Sequence, residues 1–220
     1  GPGKFFFNKP PCYPNVTPEP VYWLDPTNIS VPDLTKIGLW KDQIKPGIQD
    51  AAIGSYSKYP RYMYNGLNGF PGVKFEYDYN ETHYGLSDIL VTDYSKTITT
   101  SNTDKWHPDN TSKSLFVVFR ADQSLNPGDP PYYADGRQVL FEAGGPLSGY
   151  NIYFYEGHII FGMWNRFERK YAELTSAALY PLDQTAIYVA HLEYNGNTKQ
   201  FRGSLSKGYS GSSNDNTAIS

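Results

Sequence analysis

Between residues 137 and 165 the chain reads RQVLFEAGGPLSGYNIYFYEGHIIFGMWN, and its apolar side chains recur at two-residue rather than helical spacing. QVLFE predicts a strand, AGGPLSG a loop, and YNIYFYEGHIIFGMW a hairpin that turns at Glu156 and Gly157. On the first arm Ile152 and Phe154 share one face, and Tyr153 and Tyr155 share the other. On the second arm Ile159, Phe161 and Met163 oppose Ile160, Gly162 and Trp164. The Ile and Phe side predicts core. The side bearing Tyr153, Tyr155 and Trp164 either packs beneath a loop or stays open as an aromatic platform, and the alternation does not choose between them.

The same pattern extends along the chain. VYWL at residues 21–24 predicts a first strand closed by the turn DPTN, and GLWKDQ at 38–43 places Trp40 beside a polar bend. Residues 45–60 read as irregular. In NGLNGFPGVKFEY, Asn65-Gly66 and Asn68-Gly69 offer the positive φ of tight turns, and Val73 and Phe75 alternate with Lys74 and Glu76. Residues 88–114 are polar and read as a long surface excursion around a short strand. SLFVVFRA at 114–121 is apolar at both parities, which predicts a strand buried on both faces. RKYAEL and AIYVAHLEYNGNTKQFRGSL supply three more strands, the last two joined at Asn195-Gly196. About ten strands, with no helical periodicity longer than two turns and no internal repeat, predict an all-β fold, an antiparallel β-sandwich or jelly roll.

Composition agrees with many short strands joined by tight turns: of 220 residues 20 are Tyr, 20 Gly and 17 Pro, and only 2 are Met. Residues 1–20 are Pro-rich and predict an extended lead-in to one sandwich domain over 21–220. A net charge of −3 with scattered Lys and Arg gives no basic footprint, so nucleic acid is discounted as a partner. No run of about 18 apolar residues is present, which argues against membrane insertion by a helix. Cys12 is the single cysteine, which rules out an intrachain disulfide framework and a multi-cysteine zinc site. Asn15, Asn28, Asn80 and Asn110 head N-x-S/T sequons, weak pointers to a secreted protein.

The order of landmarks resembles the concanavalin A-like lectin/glucanase superfamily, and within it the laminin-G-like modules of bacterial and phage surface proteins. The motifs that carry the resemblance are VYWLD, GLWKDQ, NGLNGFPGVKF, SLFVVFRADQ, RQVLFEAGG, YNIYFYEGHIIFGMW and YVAHLEYNGNTKQFRGS, over about residues 21–205. They are mostly packing and turn signatures. Such modules usually end in a further closing strand, whereas this chain runs into KGYSGSSNDNTAIS, so the resemblance implies an open sheet edge and self-assembly by strand complementation.

The resemblance also draws attention to EYDYNE at residues 76–81, which matches the E-x-D-x-x-E pattern of laminarinase-like glycosidases. It would make Glu76 the nucleophile, Asp78 its electrostatic partner and Glu81 the acid/base of a retaining hydrolase, which needs two carboxyl groups about 5–5.5 Å apart. Here the intervening residues are Tyr77, Tyr79 and Asn80 rather than aliphatic, which favours a polar turn and a non-enzymatic protein. His83, His107, His158 and His191 lack zinc-ligand spacing, and His158 reads as a hairpin-turn residue. Asp122, Asn126 and Asp129 form an oxygen-rich loop that is either a calcium site or simply solvated. Calcium is therefore the one cofactor in view.

The expected function is a recognition module on an extracellular, cell or virion surface that binds a glycan or cell-surface polysaccharide. Apolar sugar faces stack on Tyr and Trp while polar side chains take the hydroxyls. Trp106, Tyr132, Tyr133, Tyr153, Tyr155 and Trp164 are the candidate aromatics. The alternatives are a structural subunit of a filament or virus particle, and a glycoside hydrolase using Glu76 and Glu81.

Overall fold

A computed structural model describes residues 22–44, 46–48, 50–53, 58–76, 90–92, 112–120, 138–144, 147–155, 157–166, 170–176, 179, 183, 185–208 and 215–219. The elements are one 3-10 turn and strands of antiparallel sheet. In the N-terminal part these are β1 (Leu39–Trp40), β2 (Ala51–Ile53), β3 (Arg61–Leu67), β4 (Phe70–Lys74) and β5 (Leu90–Thr92). Two further sets follow: β6 (Lys113–Phe119), β7 (Gln138–Gly144), β8 (Ser148–Tyr155), β9 (His158–Asn165) and β10 (Lys170–Thr175), then β11 (Ile187–Asn195), β12 (Gln200–Gly208) and β13 (Asp215–Ile219). No helix among the described residues is long and apolar enough to cross a membrane.

The core lies between two four-stranded sheets, ordered β10-β9-β8-β7 and β13-β12-β11-β6. Ile152, Phe154, Ile159 and Phe161 from the first pack with Tyr188, Ala190, Leu192 and Leu205 from the second. Leu115, Val117, Phe119, Leu140, Leu174 and Phe201 close around them. The sequence alternation therefore identifies the inner face of the β8–β9 hairpin correctly, and the register pairs Ile152 with Phe161 and Phe154 with Ile159. Gly157, at φ 80°, supplies the positive dihedral where the hairpin turns. At one end of the core the Lys113 ammonium stands 5.5 Å from the Tyr150 ring and 5.2 Å from that of Tyr194. Burial pushes the Tyr150 phenol above its ordinary value.

Several elements differ from expectation, each for a local reason. Of the strand expected at 21–24, the described residues 22–24 are not part of a sheet: Leu24 makes one isolated bridge to Asp42, and the Trp23 amide donates to the Asp42 carboxylate at 2.7 Å. A fully buried side chain thus replaces the neighbouring strand, and the Asp42 amide donates in turn to Asp50 at 2.9 Å. The DPTN turn is a 3-10 turn capped by Asp25, which accepts from the Thr27 amide at 2.9 Å. Residues 45–60 contain β2, which pairs with both β1 and β5.

Asn68 and Gly69, at φ 50° and 101°, turn the β3–β4 hairpin as read, while Asn65-Gly66 lies within β3. Gly66 is needed there for close approach, since a Cβ on it would lie 3.1 Å from the Gly72 backbone. The β11–β12 connection is a four-residue loop rather than a two-residue turn. The Asn195 side chain accepts from the Asn197 and Thr198 amides, and Lys199, not Gly196, takes the positive φ.

β6 is apolar at both parities but buried at only one. Leu115, Val117 and Phe119 join the core, whereas Phe116 and Val118 are each 53% exposed, because nothing described covers that side of the sheet at β6. Phe116 finds partial cover in the His191 imidazole, stacked on it at 4.0 Å and 4°. At the other end of the sheet the polar tail supplies β13, antiparallel to β12, so the β12 edge is filled by the chain itself. Backbone pairing needs no apolar pattern, only free amides and carbonyls.

His191 also hydrogen-bonds Ser114 at 3.0 Å, and burial lowers its pKa below the ordinary 6.5, with the Glu193 charge opposing in part. Folding therefore disfavours its protonation. Its contribution to stability is fully present above pH 6.5 and falls as the pH drops below that value, towards the lower folded pKa. Between pH 7 and 5 the urea midpoint of the native protein should fall more than that of His191→Gln; parallel curves would contradict this reading.

Candidate functional site

The outer face of β10-β9-β8-β7 is set by the same alternation that fills the core. Register places Tyr171 of β10 opposite Trp164 of β9, Trp164 opposite Gly149 of β8, and Gly149 opposite Gly144 of β7. One row away stand Glu173, Gly162, Asn151 and Glu142, in the same strand order. Directly opposed residues of antiparallel strands project to the same side, so each row is a line of neighbours across one surface.

Glycine shapes this surface. A Cβ on Gly149 would lie 2.5 Å from Trp164 Cζ2, so the indole leans across β8 into the space that a larger residue would fill. The side-chain oxygen of Asn151 similarly occupies the place of a Cβ on Gly162. That oxygen is buried, with no hydrogen-bond partner among the described residues. An acceptor left so is costly. Tyr171 is 68% exposed, Trp164 is half-buried, and Glu173 and Glu142 are both exposed.

Two of the anticipated aromatics on this hairpin take other places. Tyr153 shares the outer face but is 5% exposed, with its hydroxyl donating to a Glu173 carboxylate oxygen at 3.1 Å. It braces Glu173 from below rather than offering an open ring. Tyr155 is half-buried at the hairpin end, opposite His158. His158 fastens that turn: its Nδ1 lies 2.9 Å from the Ser176 carbonyl oxygen, so Nδ1 is the protonated nitrogen, and the Ser176 hydroxyl oxygen accepts from the Ile159 amide.

Tyr171 is not among the sequence candidates, although KYAELT carries the signal. Ala172 and Leu174 alternate with Tyr171, Glu173 and Thr175, so the apolar parity is inward and the Tyr and Glu parity outward.

Glu76 lies just beyond β4, on the two-stranded hairpin rather than on either large sheet. Its exposed carboxylate is 2.9 Å from Lys74 Nζ and 3.8 Å from Arg61 Nε. Asp78, Glu81, Trp106, Tyr132 and Tyr133 lie outside the described residues, as do Asp122, Asn126 and Asp129 of the calcium candidate. Among the described residues no group of three or more His, Cys, Asp or Glu side chains is placed to hold a metal ion.

Glu142 and Glu173 stand on the two outer strands, three strand spacings or roughly 14 Å apart at the backbone. They flank the face rather than converge on one point. The arrangement is suited to holding a ligand across the strands, with ring stacking on one row and polar contacts on the next. Comparison with protein families, curated proteins and solved structures finds no significant match to the chain.

Proposed function

We propose that the chain is a non-enzymatic recognition module of an extracellular or virion-surface protein, and that it binds carbohydrate on the outer face of β10-β9-β8-β7. The observation that carries this reading is the strip of Tyr171 and Trp164, alongside Glu173, Asn151 and Glu142. Aromatic rings accept the C–H face of a sugar, and carboxylate oxygens accept from its hydroxyls. The resemblance of the motif order to concanavalin A-like and laminin-G-like modules supports the same class of function.

A glycan array identifies the ligand class, and Tyr171→Ala then tests the site. Because Tyr171 is exposed, its truncation should leave the melting temperature within a few degrees while weakening glycan binding about tenfold. Trp164→Ala should weaken binding at least as much, with a larger loss of stability because the indole is half-buried. A glycan bound equally well by native protein and both variants would overturn this placement of the site.

A further inference from the structure

The face that would receive a saccharide is also acidic, and among the described residues its carboxylates are matched by no cation. Glu142 and Glu173 are exposed at either end of one row, with the unsatisfied Asn151 oxygen between them. Neither carboxylate makes a salt bridge with a described residue; Glu173 accepts one hydrogen bond, from the Tyr153 hydroxyl. This contrasts with Glu76, held between Lys74 and Arg61, and with Asp183, 3.5 Å from Lys207 Nζ. The basic residues nearest in register, Lys170 at the start of β10 and Arg166 just past the end of β9, lie beyond the Tyr171 and Trp164 row, away from the acidic row.

The adjacent row adds the Trp164 and Tyr171 rings, whose π faces attract cations as well as C–H groups. Two exposed carboxylates and two aromatic rings all favour a positively charged donor. None favours an anion. A neutral saccharide would lay its C–H faces on the rings but leave both carboxylate charges unmatched. An ammonium donates up to three hydrogen bonds and matches the charge as well.

We infer that this face selects a glycan bearing free amino groups, with ammonium groups engaging Glu142 and Glu173 while the sugar rings lie on Trp164 and Tyr171. The inference rests on the carbohydrate-binding reading and specifies its ligand class. The roughly 14 Å between the two acidic strands suits an oligosaccharide with more than one amino sugar better than a single ring.

The test compares a glucosamine oligosaccharide with its fully N-acetylated counterpart by calorimetry on the full chain at about pH 5.5. Acetylation removes the positive charge while keeping the ring. The amino form should bind about fivefold or more tightly, since each exposed ion pair contributes modestly. The preference should collapse in about 1 M salt, where the screening length falls to about 3 Å. E142Q/E173Q should bring the two affinities together, with the amide oxygen introduced at position 173 still able to accept from Tyr153.

Equal affinity for the amino and acetylated forms in the native protein would overturn this inference and leave the carbohydrate reading standing. Binding of neither form, with no other glycan bound on the array, would overturn both. Oligolysine of equal charge binding as tightly as the amino oligosaccharide would also overturn it, by showing that charge alone is read. A preference that survives E142Q/E173Q would place the selectivity elsewhere and overturn it too.

Discussion

Phe161→Ala is expected to destabilise the fold by about 3–5 kcal/mol, the range for emptying a well-packed aromatic site. Phe161 is fully buried on the inner face of β9, opposite Ile152 of β8 and Leu174 of β10. Across the sandwich its ring rests against Gly203 of β12, a residue with no side chain to follow the ring if it is removed. The cavity would be walled by hydrogen-bonded strand backbone, which relaxes little, so the cavity cost adds to the lost transfer energy. Domains of ordinary stability have only about 5–15 kcal/mol in total. A large drop in urea midpoint at unchanged slope is the expected reading. A loss below about 1.5 kcal/mol would mean that the ring does not bridge the two sheets.

The β8–β9 hairpin was the part of the fold most legible from sequence, because alternation and a Gly157 turn are local signals that packing did not override. Ile152, Phe154, Ile159 and Phe161 line the core as their parity requires. Parity was silent on what lies over each face. Tyr153 and Trp164 share the outer side, yet one is buried against Glu173 and the other leans over Gly149, a difference set by contacts distant in sequence. The same limit explains β6: apolar residues at both parities predicted two covered faces, and Phe116 and Val118 are exposed on one of them.

Pairing by backbone alone was equally hidden. The polar β13 carries no strand pattern but pairs with β12, and VYWL has a strand pattern but its described residues, 22–24, make a single bridge, at Leu24. In the candidate site, parity places Trp164 on the outer side of β9, while setting Tyr171 and Glu173 beside it requires the β9–β10 register. Their alternation with Ala172 and Leu174 showed that they face outward but could not show that they stand beside Trp164.

Gly203→Ala tests the opposite limit of the same contact. A Cβ at that position would lie 2.5 Å from Phe161 Cδ2, 2.7 Å from Cγ and 2.9 Å from Cε2, closer than carbon atoms can approach. In an open strand Ala is better than Gly by roughly 0.5–1 kcal/mol, through the entropy of the unfolded chain. Here overpacking at about 1–3 kcal/mol outweighs that gain, because the Phe161 ring is enclosed and has nowhere to turn. The net expectation is a loss of about 1–2 kcal/mol.

The sign should reverse when the ring is trimmed. In a Phe161→Leu background the new methyl group meets vacated space, so Gly203→Ala should be neutral or stabilising. The double-mutant cycle would then show a coupling of about 1–3 kcal/mol, well outside the few tenths expected of independent sites. Additivity within about 0.5 kcal/mol would show that Gly203 and Phe161 do not meet. It would also remove the reason that β12 carries glycine, rather than a β-branched residue, at the centre of the sandwich.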